Sequence, residues 1–327
     1  MNALIINTEL VICSVETQAA HPELFHYTSR DAFQGIVSSG TFWASHCADM
    51  PDKAEVLLMR KRLPAAVAPR FDEIVAALNR HGRHLFKAAG SGTGVAKDLV
   101  DSLYDATFLS KTGFTALDAF SVSFSTHAQD GEFEREHGLA SQWKGYAGAD
   151  GLCLVFDTSA MAQCLGKEMD TRYWVRLALD PVRYDDAPIE QLFPELVNAS
   201  ADTLRQFLSG VRTPDMALPE FLAGATLLKG AGFRTEREVR IVAIPGTQRL
   251  SDQAVKEHPD DFTVRPLPEV RARSEPTRRY IRIFETAGMS LPIKRVIVGP
   301  SSRQDENAAF ARSLVGDVPV TCSVCSL

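Results

Sequence analysis

No run of apolar residues in this 327-residue chain reaches the roughly 18 to 20 positions that a helix needs to cross a bilayer. The start of the chain also lacks the basic segment, apolar stretch and small-residue cleavage site of a secretory leader. Leu4 to Ile6 and Leu10 to Cys13 are short and interrupted by Asn7 and Glu9. A cytoplasmic protein with no membrane partner is expected. Excess positive charge is missing too: the formal net charge is -6 and the isoelectric point about 5.8. That argues against a broad phosphate-binding surface, yet a local basic stripe would still let nucleic acid be a partner. Core material is not lacking. With 45% hydrophobic and 23% charged residues, the composition is that of a globular protein.

Several catalytic signatures are absent. The chain has no serine nucleophile elbow, no paired-histidine zinc motif and no dinucleotide-binding glycine fingerprint. Gly90-Ser91-Gly92-Thr93-Gly94, followed by Lys97, lacks the glycine-lysine-serine/threonine ending of a phosphate loop and sits between helical segments, so it reads as a linker. The six cysteines, at 13, 47, 153, 164, 322 and 325, are scattered, and several lie in apolar surroundings that suit free buried thiols. Cys322-Ser323-Val324-Cys325 has the spacing of half a zinc site, but no second pair completes it, and no metal is expected.

What is present is an α+β pattern without internal repeats. Leu24 to Thr28 reads as a strand, followed by a helix with Ser29 as N-cap and Gly40 as its stop, then a short strand from Thr41 to Ala44. From Glu55 to Ala89 apolar residues recur at helical spacing, with Pro64 and Pro69 expected to break the run into two helices, and Val95 to Leu109 is helical again. A single domain is expected, with its core in residues 20–50 and 116–327 and a helical insertion at about 55–115. Strands are expected at Ala119 to Ser125 and Gly151 to Asp157, with Tyr173 to Leu179 and Val182 to Tyr184 continuing the sheet, and at Tyr280 to Phe284, Arg295 to Val298 and Val318 to Cys322. Ile189 to Val211 should be mainly helical, and Gln248 to Thr277 a long loop.

The least ordinary pattern lies in Arg234 to Ile244, expected to be a strand. At period two, Arg234, Glu236, Glu238 and Arg240 would share one face, with Val239 and Ile241 on the other. Two carboxylates two residues apart, with an arginine beside them, can bind sugar hydroxyls or stabilise positive charge. The same pattern also fits a solvated face with weak ion pairs. His26 and Tyr27 offer a donor and a ring, although a lone histidine is more often a packed core residue. Trp143 and Tyr146 can form a platform for a flat ring or simply pack. Asp49, Asp52 and Glu55 fit a metal or loop-ordering cluster, or ordinary acidic residues at a helix start.

In order, Leu24-Phe25-His26-Tyr27-Thr28-Ser29, Ile36 to Ser45, Ser123-Phe124-Ser125, Trp143 with Tyr146, Gly151 to Asp157, Glu236-Arg237-Glu238-Val239-Arg240 and Val296-Ile297-Val298-Gly299-Pro300 resemble an uncharacterised bacterial family catalogued as a domain of unknown function, family 2971. That family in turn looks like a distant branch of the ADP-ribosyltransferases. The resemblance implies mixed, mostly antiparallel sheets forming an ADP-ribosyltransferase-like split core with NAD as substrate. It implies that His26 holds the nicotinamide ribose, that Glu238 stabilises an oxocarbenium-like centre as nicotinamide leaves, and that Glu236 positions the acceptor. Tyr27, Thr28, Trp43, Ser125, Trp143, Tyr146 and Arg240 would complete the cofactor site. Two departures stand out: Asp49 to Glu55 is a loose version of the family's asparagine-aspartate-proline motif, and residues 56–115 are longer and more helical than the resemblance suggests.

The leading expectation is therefore an NAD-consuming transferase acting on a protein or nucleic acid, as a toxin or phage-defence effector. Two alternatives use the same residues: a non-catalytic NAD or nucleotide sensor, and a phosphotransferase-like enzyme acting on RNA ends.

Overall fold

The computed structural model describes residues 11–50, 54–80, 91–105, 117–127, 131–208, 217–260, 262–273, 278–285 and 288–326. Its strands are β1 (Glu23–Thr28), β2 (Phe42–His46), β3 (Phe120–Ser125), β4 (Leu152–Asp157), β5 (Trp174–Pro181), β6 (Arg183–Tyr184), β7 (Leu228–Lys229), β8 (Glu238–Pro245), β9 (Arg271–Arg273), β10 (Arg278–Ile283), β11 (Ile293–Val298) and β12 (Val320–Cys322). All but β6 and β7 join one open, mostly antiparallel sheet, so the fold is α+β. Among the described residues no helix is long and apolar enough to cross a membrane.

Local chemistry explains the first units. Period-two alternation in β1 sends Leu24 into one apolar cluster and Phe25 and Tyr27 into another on the opposite face. The Ser29 hydroxyl accepts a hydrogen bond from Ala32 N–H, opening the helix Arg30–Ser39. Gly40 ends it at φ 65°, where a side chain would be strained, and its N–H donates to Ile36 O at 2.9 Å. β4 is fully apolar through Phe156 and is buried on both faces between β1 and β11.

The sheet divides along β3. One edge of β3 pairs with β8 over its whole length, from Phe120↔Ala243 to Ser125↔Glu238. The other edge is shared: β2 takes its start at Ser45↔Ser121 and His46↔Phe120, while β1 takes its end at Phe25↔Ser125. Between those two attachments β1 and β2 part.

One face of the sheet is covered continuously by a cluster that includes Leu24, Phe42, Phe124, Phe156, Val239 and Ile241. The opposite face is covered in two separate places. Over β5 and the far end of β8 lies the helical layer, Ala54–Arg80, Gly92–Tyr104, Pro194–Leu208 and Leu218–Leu227, packed on Val175, Val242 and Ile244. Over β1, β4 and β11 lies a small aromatic cluster around Phe25, Tyr27 and Trp143. The middle of that face, floored by β3 and the start of β8, carries Ser121, Ser123, Ser125, Glu238 and Arg240.

Five expectations need correction. The helix Ala54–Arg80 runs unbroken through Pro64 and Pro69. Its Val56, Met59, Leu63, Val67 and Phe71 are buried in one cluster, and that packing outweighs the roughly 3 kcal/mol that an interior proline costs. Residues 248–257 form a helix rather than loop, capped by the Thr247 hydroxyl at Leu250 N–H, with Leu250 and Ala254 as its buried contacts. Its polar composition hid the pattern. β6 does not continue the main sheet but pairs in parallel with β7. The helix Gly92–Tyr104 begins inside the expected glycine linker, with the Ser91 hydroxyl accepting from Gly94 N–H, and the helices Thr158–Thr171 and Gln304–Val315 were not anticipated. The expected helical ends at Leu85 and Phe86 and at residues 106–109 lie outside the described residues.

Candidate functional site

The bare middle of the sheet opens into a cleft of about 370 Å³, lined by His26, Trp43, Ser123, Ser125, Gln142, Tyr146, Lys229, Glu236, Glu238 and Arg240, among others. That volume is within the range of small-molecule sites.

Register alone brings the two ends of the sequence together. Glu238 pairs with Ser125, and Ser125 pairs with Phe25. Across three adjacent strands, Glu238 is therefore about 10 Å from the neighbour of His26. The His26 ring fills the fork where β1 and β2 separate, and its Nδ1–H donates to Ser123 O at 3.0 Å. Phe42 and Phe124 lie 5.5 Å from it, centroid to centroid. Burial holds its pKa below the ordinary histidine value, so the neutral tautomer with Nε2 as acceptor is favoured.

Glu238 begins β8 and is 6% exposed. Arg240 clamps both its oxygens, Nε to Oε1 at 2.6 Å and Nη2 to Oε2 at 3.0 Å, and Lys229 Nζ adds a contact to Oε2 at 3.0 Å. Burial opposes ionisation, but the charges and hydrogen bonds of Arg240 and Lys229 outweigh it and hold the carboxyl at about 2. Burial disfavours both cations as well, but the surrounding carboxylates, Glu238 foremost, push them above their ordinary values. Glu55 closes the network, 3.0 Å from Arg240 and 3.5 Å from Lys229. Glu236 receives Lys229 at 2.6 Å and the Tyr146 hydroxyl at 3.1 Å. Burial, then the charge of Glu236, raises the Tyr146 phenol to about 12.

The expected four-residue strand face is corrected here. Ala231–Glu236 is a 3-10 turn, Arg237 takes φ 43°, and the strand starts only at Glu238. Glu238 and Arg240 do share a face. Glu236 arrives from the turn, and Arg234 points away to pair with Asp186.

The remaining predicted residues divide. Ser125 donates to Gln142 Oε1 at 2.9 Å on the cleft wall. Tyr146 is 54% exposed and presents its ring to the cleft, whereas Trp143 is buried, with its indole N–H donating to His137 O. Tyr27 meets Trp143 edge-on at 4.8 Å, and its hydroxyl accepts from Leu139 N–H and bonds His127, so its ring is part of the packing that supports the wall. Thr28 is buried outside the lining. Trp43 stands at the rim. Asp49 is held by Arg279, and Asp52 lies outside the described residues. Among the described residues no group of three or more His, Cys, Asp or Glu is placed to hold a metal ion.

Lys229, Glu55 and Gln142 are the participants that pattern reading did not place here. Lys229 had a signal, a lone cation directly after the apolar run Phe221 to Leu228. A second, larger hollow of about 690 Å³ includes Glu23, Lys294 and Arg295, but these charges pair with one another.

The carboxylate at the cleft floor sets an acid limit. Glu238 titrates near 4.5 when freely solvated and near 2 in the fold. The stability it contributes, about 3 kcal/mol at full ionisation, is present above 4.5 and lost as the pH falls through 2. Thermal midpoints should decline across that window, and more shallowly in Glu238→Gln. Equal slopes in the two proteins would show that Glu238 is not held as described.

The fold and site define an open-sheet α+β protein with a charged cleft where the sheet divides. Residues 142–241 match the model of a family described as "Protein of unknown function (DUF2971)". The match includes Gln142, Tyr146, Lys229, Glu236, Glu238 and Arg240, while His26 and Trp43 precede it. No curated protein and no solved structure matches the chain.

Proposed function

We propose that this protein is an NAD-dependent ADP-ribosyltransferase acting on a macromolecular acceptor. The observation that carries the reading is Glu238, clamped by Arg240 and Lys229 at the floor of a cleft that His26 also lines. Loss of nicotinamide breaks the bond between the ribose carbon and the pyridinium nitrogen. The bonding electrons leave with neutral nicotinamide, and positive charge grows on the ribose. A fixed carboxylate at that point stabilises the transition state without reorganising. His26 Nε2 can accept from a ribose hydroxyl, and Tyr146 can cover the nicotinamide ring. An acceptor oxygen or nitrogen then attacks the ribose carbon and loses its proton, which Glu236, a partly exposed carboxylate of the cleft, can take. A role as a toxin or phage-defence effector would follow from such an activity.

A second reading, the non-catalytic nucleotide sensor, is favoured by one specific feature. Both Glu238 oxygens already accept hydrogen bonds from Arg240 and Lys229, so a ribose hydroxyl must share them. Incubating the protein with NAD and a cell lysate separates the two readings. Transferase action releases nicotinamide and labels an acceptor, whereas a sensor raises the melting temperature with NAD and leaves the dinucleotide intact.

A further inference from the structure

The cleft face does not end at Trp43. Strand pairing continues it through β2 to β10 and β9, placing Tyr280 beside Ser45, Arg282 beside Trp43 and Arg273 beside Arg278. Trp43 is 46% exposed and stacks on Tyr280 at 4.5 Å, with ring planes 20° apart. The guanidinium carbons of Arg273 and Arg282 lie 5.6 and 5.7 Å from its ring centroid. Arg282 is neutralised by Glu285 at 2.9 Å. Among the described residues neither Arg273 nor Arg278 has a carboxylate partner. Like charges directly opposite each other on one face of a hairpin repel, which costs stability unless an anion lies between them. In a chain of net charge -6, a pair with no carboxylate partner among the described residues, next to stacked aromatics, is an exception to the general balance.

We propose that the Trp43, Tyr280, Arg273 and Arg278 flank binds a single-stranded nucleic acid, with a phosphate bridging the two arginines and a base stacking on Trp43. Beyond the cleft rim that Trp43 and Arg278 form, the flank is an open sheet margin that encloses no small molecule. A polymer gains affinity there by repeating the same two contacts, stacking and phosphate neutralisation. Resting on the transferase reading, this makes the strand the acceptor, laid from the hairpin towards the cleft that Arg278 also lines.

The test is binding without NAD. A fluorescein-labelled mixed-sequence strand of about 20 nucleotides, longer than one such site spans, is titrated at low salt, as DNA and as RNA. Saturable binding that weakens with salt is expected. Trp43→Ala should weaken it about tenfold or more. The double variant Arg273→Glu with Arg278→Glu should do the same and flatten the salt dependence. Unchanged melting temperatures will show that both variants are folded. Absence of binding, equal binding by both variants, or competition by duplex DNA or AMP as effective as by the strand itself would overturn the proposal. Nicotinamide release is measured separately. Its failure with oligonucleotide binding intact removes the cofactor reading alone, and release with unaltered oligonucleotide binding in the variants removes the flank alone.

Discussion

Replacing Arg240 by methionine should destabilise the protein by about 3 to 5 kcal/mol in chemical denaturation, the usual cost of stripping one partner from a buried ion pair. Arg240 is 1% exposed, and it donates to Glu238, to Glu55 and to the carbonyl of Thr226 at 2.5 Å. The network holds three carboxylates, Glu55, Glu236 and Glu238, against two cations, Lys229 and Arg240. Without Arg240, Lys229 alone faces all three, and the Thr226 carbonyl loses this donor. Methionine keeps the volume, so the effect reports charge and hydrogen bonding more than a cavity. The double variant Arg240→Met with Glu238→Met should recover much of the loss, because the charge left stranded by the first change is gone. A loss below about 1 kcal/mol in the single variant would mean that the pair behaves like an exposed one.

Glu238→Gln should cut nicotinamide release by about 100- to 1000-fold, the range seen when one preorganised electrostatic contact to a developing charge is removed. Glutamine retains the shape and can still accept from Arg240, so the change removes charge while leaving the cleft walls in place. The loss should fall on the rate constant rather than on NAD affinity, since a carboxylate directed at a transient cation does little for the ground state. Thermal midpoints measured in parallel exclude unfolding as the cause. Wild-type turnover in Glu238→Gln would sink the assignment of Glu238. If the wild type binds NAD and the variant binds it equally well, with no nicotinamide from either, the sensor reading takes over.

Local periodicity made much of the fold legible. The β1 alternation, the Ser29 and Gly40 caps and the apolar β4 are all short-range signals, and each element formed where its residues predict. Some members of the candidate cleft were legible, among them His26, Tyr146, Glu236, Glu238 and Arg240, while Lys229, Glu55 and Gln142 were not, and Thr28 and Trp143 lie outside its lining. Glu236 and Glu238 suggested one extended face, but Arg237 in the left-handed region breaks the strand between them, and no two-residue spacing reveals that. Lys229 and Glu55 are 174 positions apart in sequence and meet only through the packing of the helical layer against β7. Trp143 and Tyr146 share one short turn, and burial alone decides that the second faces the cleft. His26 and Glu238 reach one cleft because β3 pairs with β8 along one edge and with β1 at one end of the other. Such long-range register is invisible to composition or spacing.

All eight residues of β8 are buried, so the strand that carries Glu238 and Arg240 is also the spine shared by the two large apolar clusters. At the margin of the sheet Arg273 of β9 is exposed and Arg278 of β10 is half-buried. Substitutions at the cleft floor therefore endanger the fold and the cleft together, whereas a change at exposed Arg273 costs the fold little. On the transferase reading proposed above, this gives an immobile engine with an exchangeable front, and retargeting should begin at Arg273 and Arg278 and leave β8 untouched.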